Sequence, residues 1–449
     1  MMSDQPNARP LRDACRTGKD HVRPSPADLP VAVPFRPKED ASMTSSLRTA
    51  RRGPGGPVAL TDETAALPAA AAGSWADGGT LPLAGFWGQP DTSAVLLNNG
   101  KVLLAGGEDG RRNALNSAML FDAGSSTWTP TGSLQTGRRL HAVAKLDDGR
   151  VLVSGGVAGA LAAPATGIAT AEIYNPDTGT WSPAAPMRTA RFSHSATVLP
   201  GGKVLVAGGC AVRSGDSHRA LRSAEIYDPA TDQWTELAPM TDGRFGHPAV
   251  YLPTVKKVLV AGGVITAGRG QYAALGYCEL FDPVTGTWTP TGSLAAPRKA
   301  HQATVLADGT VLVTGGDIPG VLLDWTIQPY SQWTCERFNP ATGTWSRDTD
   351  LPWGLSHHRV VKLSSGKLVV IGGTDDGTFD IGYQTVAAYD PASKVWTPAA
   401  DLKTGRWAPA VALLAGDKVL VAGGVTRSGS AAPVIGESLC SETAEVFTP

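Results

Sequence analysis

Seven times along the chain a short, almost uninterrupted apolar run ends on two glycines: VLLAGG, VLVSGG, VLVAGG, VLVAGG, VLVTGG, LVVIGG and VLVAGG, with the glycines at 106–107, 155–156, 208–209, 262–263, 315–316, 372–373 and 423–424. A run apolar at consecutive positions predicts a strand covered on both faces. Before it lies another strand, HSATVL (194–199) in the third copy. The two are joined by tight turns such as NNG (98–100), DDG (147–149) and ADG (307–309). Glycine late in such a turn supplies the positive φ that a hairpin demands. After the glycine pair comes a third strand, AEIYNP (171–176) or CELFDP (278–283). A turn of the DPATDQW type (228–234) then leads into a fourth strand that carries a tryptophan.

The tryptophans stand at 75, 128, 181, 234, 288, 345 and 396, at spacings of 51 to 57 residues. From the second onward an aromatic residue precedes each by seven: Phe121, Tyr174, Tyr227, Phe281, Phe338 and Tyr389. Four strands in a repeat of this length predict a β-propeller. The last unit stops at EVFTP (445–449), before any tryptophan, and Trp75 has no strands of its own before it. Residues 73–80 should therefore supply the fourth strand of the last blade, closing the ring and removing a free sheet edge.

With its glycine pairs and spaced Tyr/Phe and Trp, the chain resembles the kelch family over residues 73–449. The resemblance implies an all-β fold, a seven-bladed propeller whose last blade is closed by the N-terminal strand. It also implies that the first strand of each blade lines the central channel. The connections before that strand and after the glycine pair then share one face, the top.

Composition adds limits. A net charge of −1 gives no broad electrostatic case for nucleic acid or an anionic membrane. No apolar run approaches a transmembrane length. Five cysteines (Cys15, Cys210, Cys278, Cys335 and Cys440) are an odd count in a long chain and read as free thiols rather than a disulfide framework. Residues 1–72 are rich in Pro, Ala and Arg without hydrophobic periodicity, and predict a disordered tail. No apolar segment near the start reads as a secretory signal, which with the free thiols predicts a cytoplasmic protein. No phosphate loop or nucleotide fingerprint is present, so no nucleotide cofactor is expected.

The candidate chemistry lies in the repeat itself. His141, His194, His247, His301 and His358 stand at the start of the first strand in blades 2 to 6, with Thr92 and Pro409 at that place in blades 1 and 7. His357 adds a neighbour to the fifth. Grouped neutral imidazoles are good ligands for Cu, Fe or Zn, and a catalytic metal needs only three. Arg138, Arg191, Arg244, Arg298 and Arg406 recur just before the first strand. They could bind an anionic substrate at the channel mouth, or pair with Glu172, Glu225, Glu279, Glu336 and Glu445, which recur in the third strand. The long connection of blade 5 offers Trp325 and Tyr330 as further pocket walls.

Four of these units read R-x-x-H, as in Arg191/His194, a pattern that kelch repeats often carry. The histidines are therefore either scaffold or ligands. Galactose oxidase and its relatives, copper-radical oxidases with a kelch-type propeller, use a histidine that resembles this position, preceded by an axial tyrosine. Here the preceding residues are Leu140, Ser193, Gly246, Ala300 and His357, so that radical site is not reproduced. Two function classes follow. One is a propeller that binds a small molecule or metal at the top of the channel, including a metal-dependent oxidase, cyclase or lyase. The other is a non-catalytic scaffold for a protein on the top face.

Overall fold

The computed structural model describes residues 72–87, 94–160, 166–213, 217–268, 271–318, 331–374, 381–434 and 437–449. The expected tail lies outside them except for Ala72, as do Thr92, Trp325 and Tyr330. Apart from two three-residue 3-10 turns, the regular elements of the described residues are strands. Among the described residues no helix is long and apolar enough to cross a membrane.

Seven antiparallel four-stranded sheets make a seven-bladed propeller. In the third blade, strands a to d are Ser195–Val198, Val204–Ala207, Ala224–Asp228 and Gln233–Glu236, each paired with the next. Every residue of the third-blade strand b is buried because both faces of a blade pack on neighbours. One apolar cluster joins Leu152 and Ile173 of blade 2 to Val204, Tyr227 and Trp234 of blade 3. This explains the consecutive apolar positions that mark strand b in the sequence.

The recurring aromatics are a second inter-blade device. In blade 2, Tyr174 lies directly across from Trp181, with ring centroids 5.1 Å apart. The Trp181 indole N–H then donates to the Gly132 carbonyl at the end of the previous blade, 2.8 Å away. The last blade repeats this with residues from opposite ends of the chain. Ser74–Thr80 pairs with Thr443–Thr448, and Trp75 lies across from Phe447 at a centroid distance of 5.0 Å. The Trp75 indole donates to Ala400 O at 2.6 Å. Gly73 is required at this seam: it has φ +84°, and a Cβ there would lie 2.4 Å from the Phe447 ring. The closure expected from the chain ends is the one observed.

Cys210, Cys278, Cys335 and Cys440 are free thiols, and burial pushes them up to about 12, 11, 12 and 12 respectively. They stay protonated at neutral pH and are poor nucleophiles.

Candidate functional site: the axial cavity

The recurring arginines are scaffold. Arg138, Arg191, Arg244, Arg298 and Arg406 are fully buried. In blade 3, Arg191 Nη1 donates to the carbonyls of Gly208 (2.7 Å) and Ser223 (3.0 Å), and Nη2 meets Glu225 Oε1 at 2.7 Å. Glu225 in turn accepts the main-chain N–H groups of Arg188 and Thr189. The same arrangement ties Arg138 to Glu172, Arg244 to Glu279, Arg298 to Glu336 and Arg406 to Glu445. Each network locks the entry of strand a to strands b and c of its own blade. Where the arginine is replaced by Leu355 or Gly85, the glutamate is replaced too, by Ala387 or Met119, because a lone buried charge is costly. The expectation that these arginines reach substrate is therefore corrected: their guanidinium groups are committed inside the blades.

The five strand-a histidines are also placed differently from expectation. They do not ring the channel mouth. His141, His194, His247, His301 and His358 are at most 4% exposed. Each imidazole wedges against the glycine pair of the preceding blade. A Cβ at Gly155 would lie 2.7 Å from His194 Cε1 and 2.4 Å from Arg191 O, so only glycine admits the neighbouring blade. Three of the rings also exchange a hydrogen bond through Nε2: His194 with Ser154 Oγ, His247 with Ser195 Oγ and His358 with Thr314 Oγ1, at 3.2, 3.2 and 2.9 Å. Burial lowers the pKa of all five, to about 3 for His141, His247 and His358. Among the described residues no three His, Cys, Asp or Glu side chains converge to hold a metal ion. Among the described residues the donor set does not fit a transition metal.

The mouth is formed instead by the residues just before these histidines. Leu140, Ser193, Gly246, Ala300, His357 and Ala408 all have φ between 48° and 60°. The left-handed turn links neighbouring blades through the main chain. Ser193 N donates to Leu140 O and Gly246 N to Ser193 O, each at 2.9 Å. His357 N donates to Ala300 O at 3.1 Å and Ala408 N to His357 O at 2.9 Å. The same turn brings Leu140, Ser193, Gly246, Ala300 and His357 to the axis.

They enclose a cavity of about 230 Å³. Phe86 comes from the entry to blade 1, Leu140 and Ser193 from blades 2 and 3, and Phe245, Gly246 and Val264 from blade 4. Lys299 and Ala300 come from blade 5, His357 from blade 6 and Trp407 from blade 7. A cavity touched by all seven blades lies on the propeller axis. Phe86 packs edge-on against Trp407 (5.6 Å), and Trp407 against the His357 ring (5.5 Å). Lys299 Nζ is held by both oxygens of the buried Asp317, at 2.8 and 2.9 Å. Burial first, then the charges of Lys299 and Arg359 and the neighbouring His358, hold His357 well below the usual imidazole range.

Of the candidates named from sequence and lying among the described residues, His357 alone lines this cavity. Phe86, Phe245, Lys299 and Trp407 were missed. They share one repeat position, two before the strand-a histidine where there is one, and that position varies from blade to blade while the histidine recurs in blades 2 to 6.

Comparison with known proteins agrees with the repeat. The kelch motif model matches residues 138–188 and 191–241. Kelch-like protein 36 of Rattus norvegicus is 29% identical over 54% of this chain, and the chain spans only 37% of that protein's length. Kelch-like protein terF of Aspergillus terreus is 25% identical over 66% of this chain and 63% of its own length. Among solved structures, a fungal alcohol oxidase of the AA5 family in complex with copper superposes with a TM-score of 0.63 at 19% identity, covering 84% of this chain and 76% of that one. YjhT superposes with a TM-score of 0.54 at 16% identity, covering 71% of this chain and 99% of that one. At such identities the structural likeness carries the fold alone.

Proposed function

We propose that this seven-bladed propeller, whose second and third repeats match the kelch motif, has a ligand-binding role centred on the axial cavity, with a small molecule held between Phe86, Phe245 and Trp407 and oriented by Lys299, Ser193 and His357. The observation that carries this reading is that all seven blades send a side chain or backbone to one concave site. Apolar walls with a few polar groups are the ordinary make-up of a small-molecule site. An engineered apolar cavity of about 150 Å³ takes benzene, so this larger one suits a molecule of one or two rings.

Gly246 offers the test. A Cβ built on it meets nothing within 4 Å, so a side chain there would project into open space. Leu140 adopts the same backbone geometry at the corresponding position, with φ 53° against 60° for Gly246. Gly246→Leu is therefore expected to fold, at a cost of about 1–2 kcal/mol for the left-handed conformation, and to fill the cavity. Ligand-observed NMR with one- and two-ring aromatic probes should show binding to the wild type and at least a tenfold loss in the variant. Equal binding by both would place the ligand elsewhere.

A second reading, a protein partner on the top face, is favoured by one feature. Ile381 pairs with Arg427, and Arg427 with Leu439, so two apolar side chains about half exposed flank an arginine across the blade 6 and blade 7 connections. Gly246→Leu separates the two readings, since it leaves that surface unchanged.

A further inference from the structure

The axial cavity is sided. Its apolar crescent belongs to two buried clusters, one built on Phe86 and Trp407 and the other holding Leu140 and Phe245. Its polar arc comes from blades 5 and 6, where Lys299 and His357 stand together. Among the side chains that line it the one charged group is paired, and Arg359, behind His357, is not part of the lining and donates to Pro409 O. The Lys299 ammonium is balanced by the Asp317 carboxylate, which contacts it through both oxygens and is itself 1% exposed. His357 is held neutral, and Ser193 adds only a hydroxyl.

A charged ligand entering such a site gives up its hydration and finds no uncompensated opposite charge among the lining side chains, which is costly. A purely apolar ligand would leave the polar arc poorly solvated. A neutral ligand with one oxygen at its edge avoids both costs. We infer that the cavity selects an uncharged aromatic molecule of one or two rings bearing a single hydroxyl or carbonyl group, its rings against Phe86, Phe245 and Trp407 and its oxygen toward Lys299 and His357. This inference rests on the axial cavity being the ligand site.

Three probes of one ring system test it by calorimetry at pH 7.5: 2-naphthol, 2-naphthoate and 2-naphthylmethylammonium. Binding of 2-naphthol at least tenfold tighter than either charged probe is expected. A charged probe that binds as tightly as 2-naphthol, or more tightly, overturns the inference and leaves the site in place. Failure of all three to bind overturns the site itself.

Asp317→Asn provides a second, independent reading. It removes one carboxylate held against Lys299 while keeping the shape, so the polar side of the cavity becomes more positive by one charge. The variant, checked for an intact fold by its melting curve, should gain at least tenfold in affinity for 2-naphthoate relative to 2-naphthol. An unchanged ratio in the folded variant contradicts the charge-balance argument.

Discussion

Between pH 7 and pH 5 the protein is expected to lose about 6 kcal/mol of stability through the wedged His141, His247 and His358, with His194 and His301 acting in the same direction. The unfolded chain binds protons at imidazoles with an ordinary pKa near 6.5. The folded chain does not, because burial holds His141, His247 and His358 down to about 3 and lowers His194 and His301 well below the ordinary value. Protons are thus taken up on unfolding. Stability is complete above about pH 6.5 and falls as the pH drops from there toward the folded-state values. At pH 5 each of His141, His247 and His358 contributes a loss of about 2 kcal/mol. The sum is comparable with the whole stability of an ordinary domain, about 5–15 kcal/mol. Urea unfolding midpoints measured from pH 7.5 to 5 should fall steeply. His247→Gln, which keeps a polar group near Ser195 Oγ, should reduce the limiting slope by one proton, about 1.4 kcal/mol per pH unit. A midpoint independent of pH over this range would mean that the imidazoles are not buried as placed.

Removal of the closing strand is the other large effect. Deleting residues 73–80 from the full chain takes away the pairing of Ser74–Asp77 with Glu445–Thr448 and the Trp75–Phe447 ring contact. The hydrogen bond from Trp75 to Ala400, and that from Trp128 to Gly78 in the next seam, go with it. Loss of a large core side chain alone typically costs about 3–5 kcal/mol, so the deletion should cost at least about 5 kcal/mol. It also leaves Thr443–Thr448 as an open strand edge, which invites association. A sharply lower melting temperature, with concentration-dependent aggregation, is the expected result. A melt like that of the intact chain would mean that the ring does not depend on this strand.

These two effects have different histories in the sequence. The closing strand was legible because Trp75 lacks strands before it and EVFTP lacks a tryptophan after it; counting units was enough. Strand b was legible because a blade covered on both faces must be apolar at every position. The histidines were recognisable as a repeat, but their direction was not. That direction is set by a left-handed residue just before each one, and Leu140, Ser193, Ala300 and His357 adopt this conformation without being glycine. Nothing in their identity announces a positive φ. The turn carries the preceding side chain to the axis and the imidazole between the blades. The arginines posed a milder version of the same problem, since their pairing with glutamate was readable from co-occurrence but their burial was not. Lys299 and Trp407 escaped notice because they share a repeat position whose only common property is its place.

Binding of a small aromatic molecule in the axial cavity should be visible crystallographically. A crystal of the intact protein soaked with 2-naphthol tests it most directly. Ring density is expected on the axis between Phe86, Phe245 and Trp407, with the hydroxyl toward Lys299 and His357. Density for the probe elsewhere, or none on the axis under conditions where calorimetry shows saturation, would contradict it.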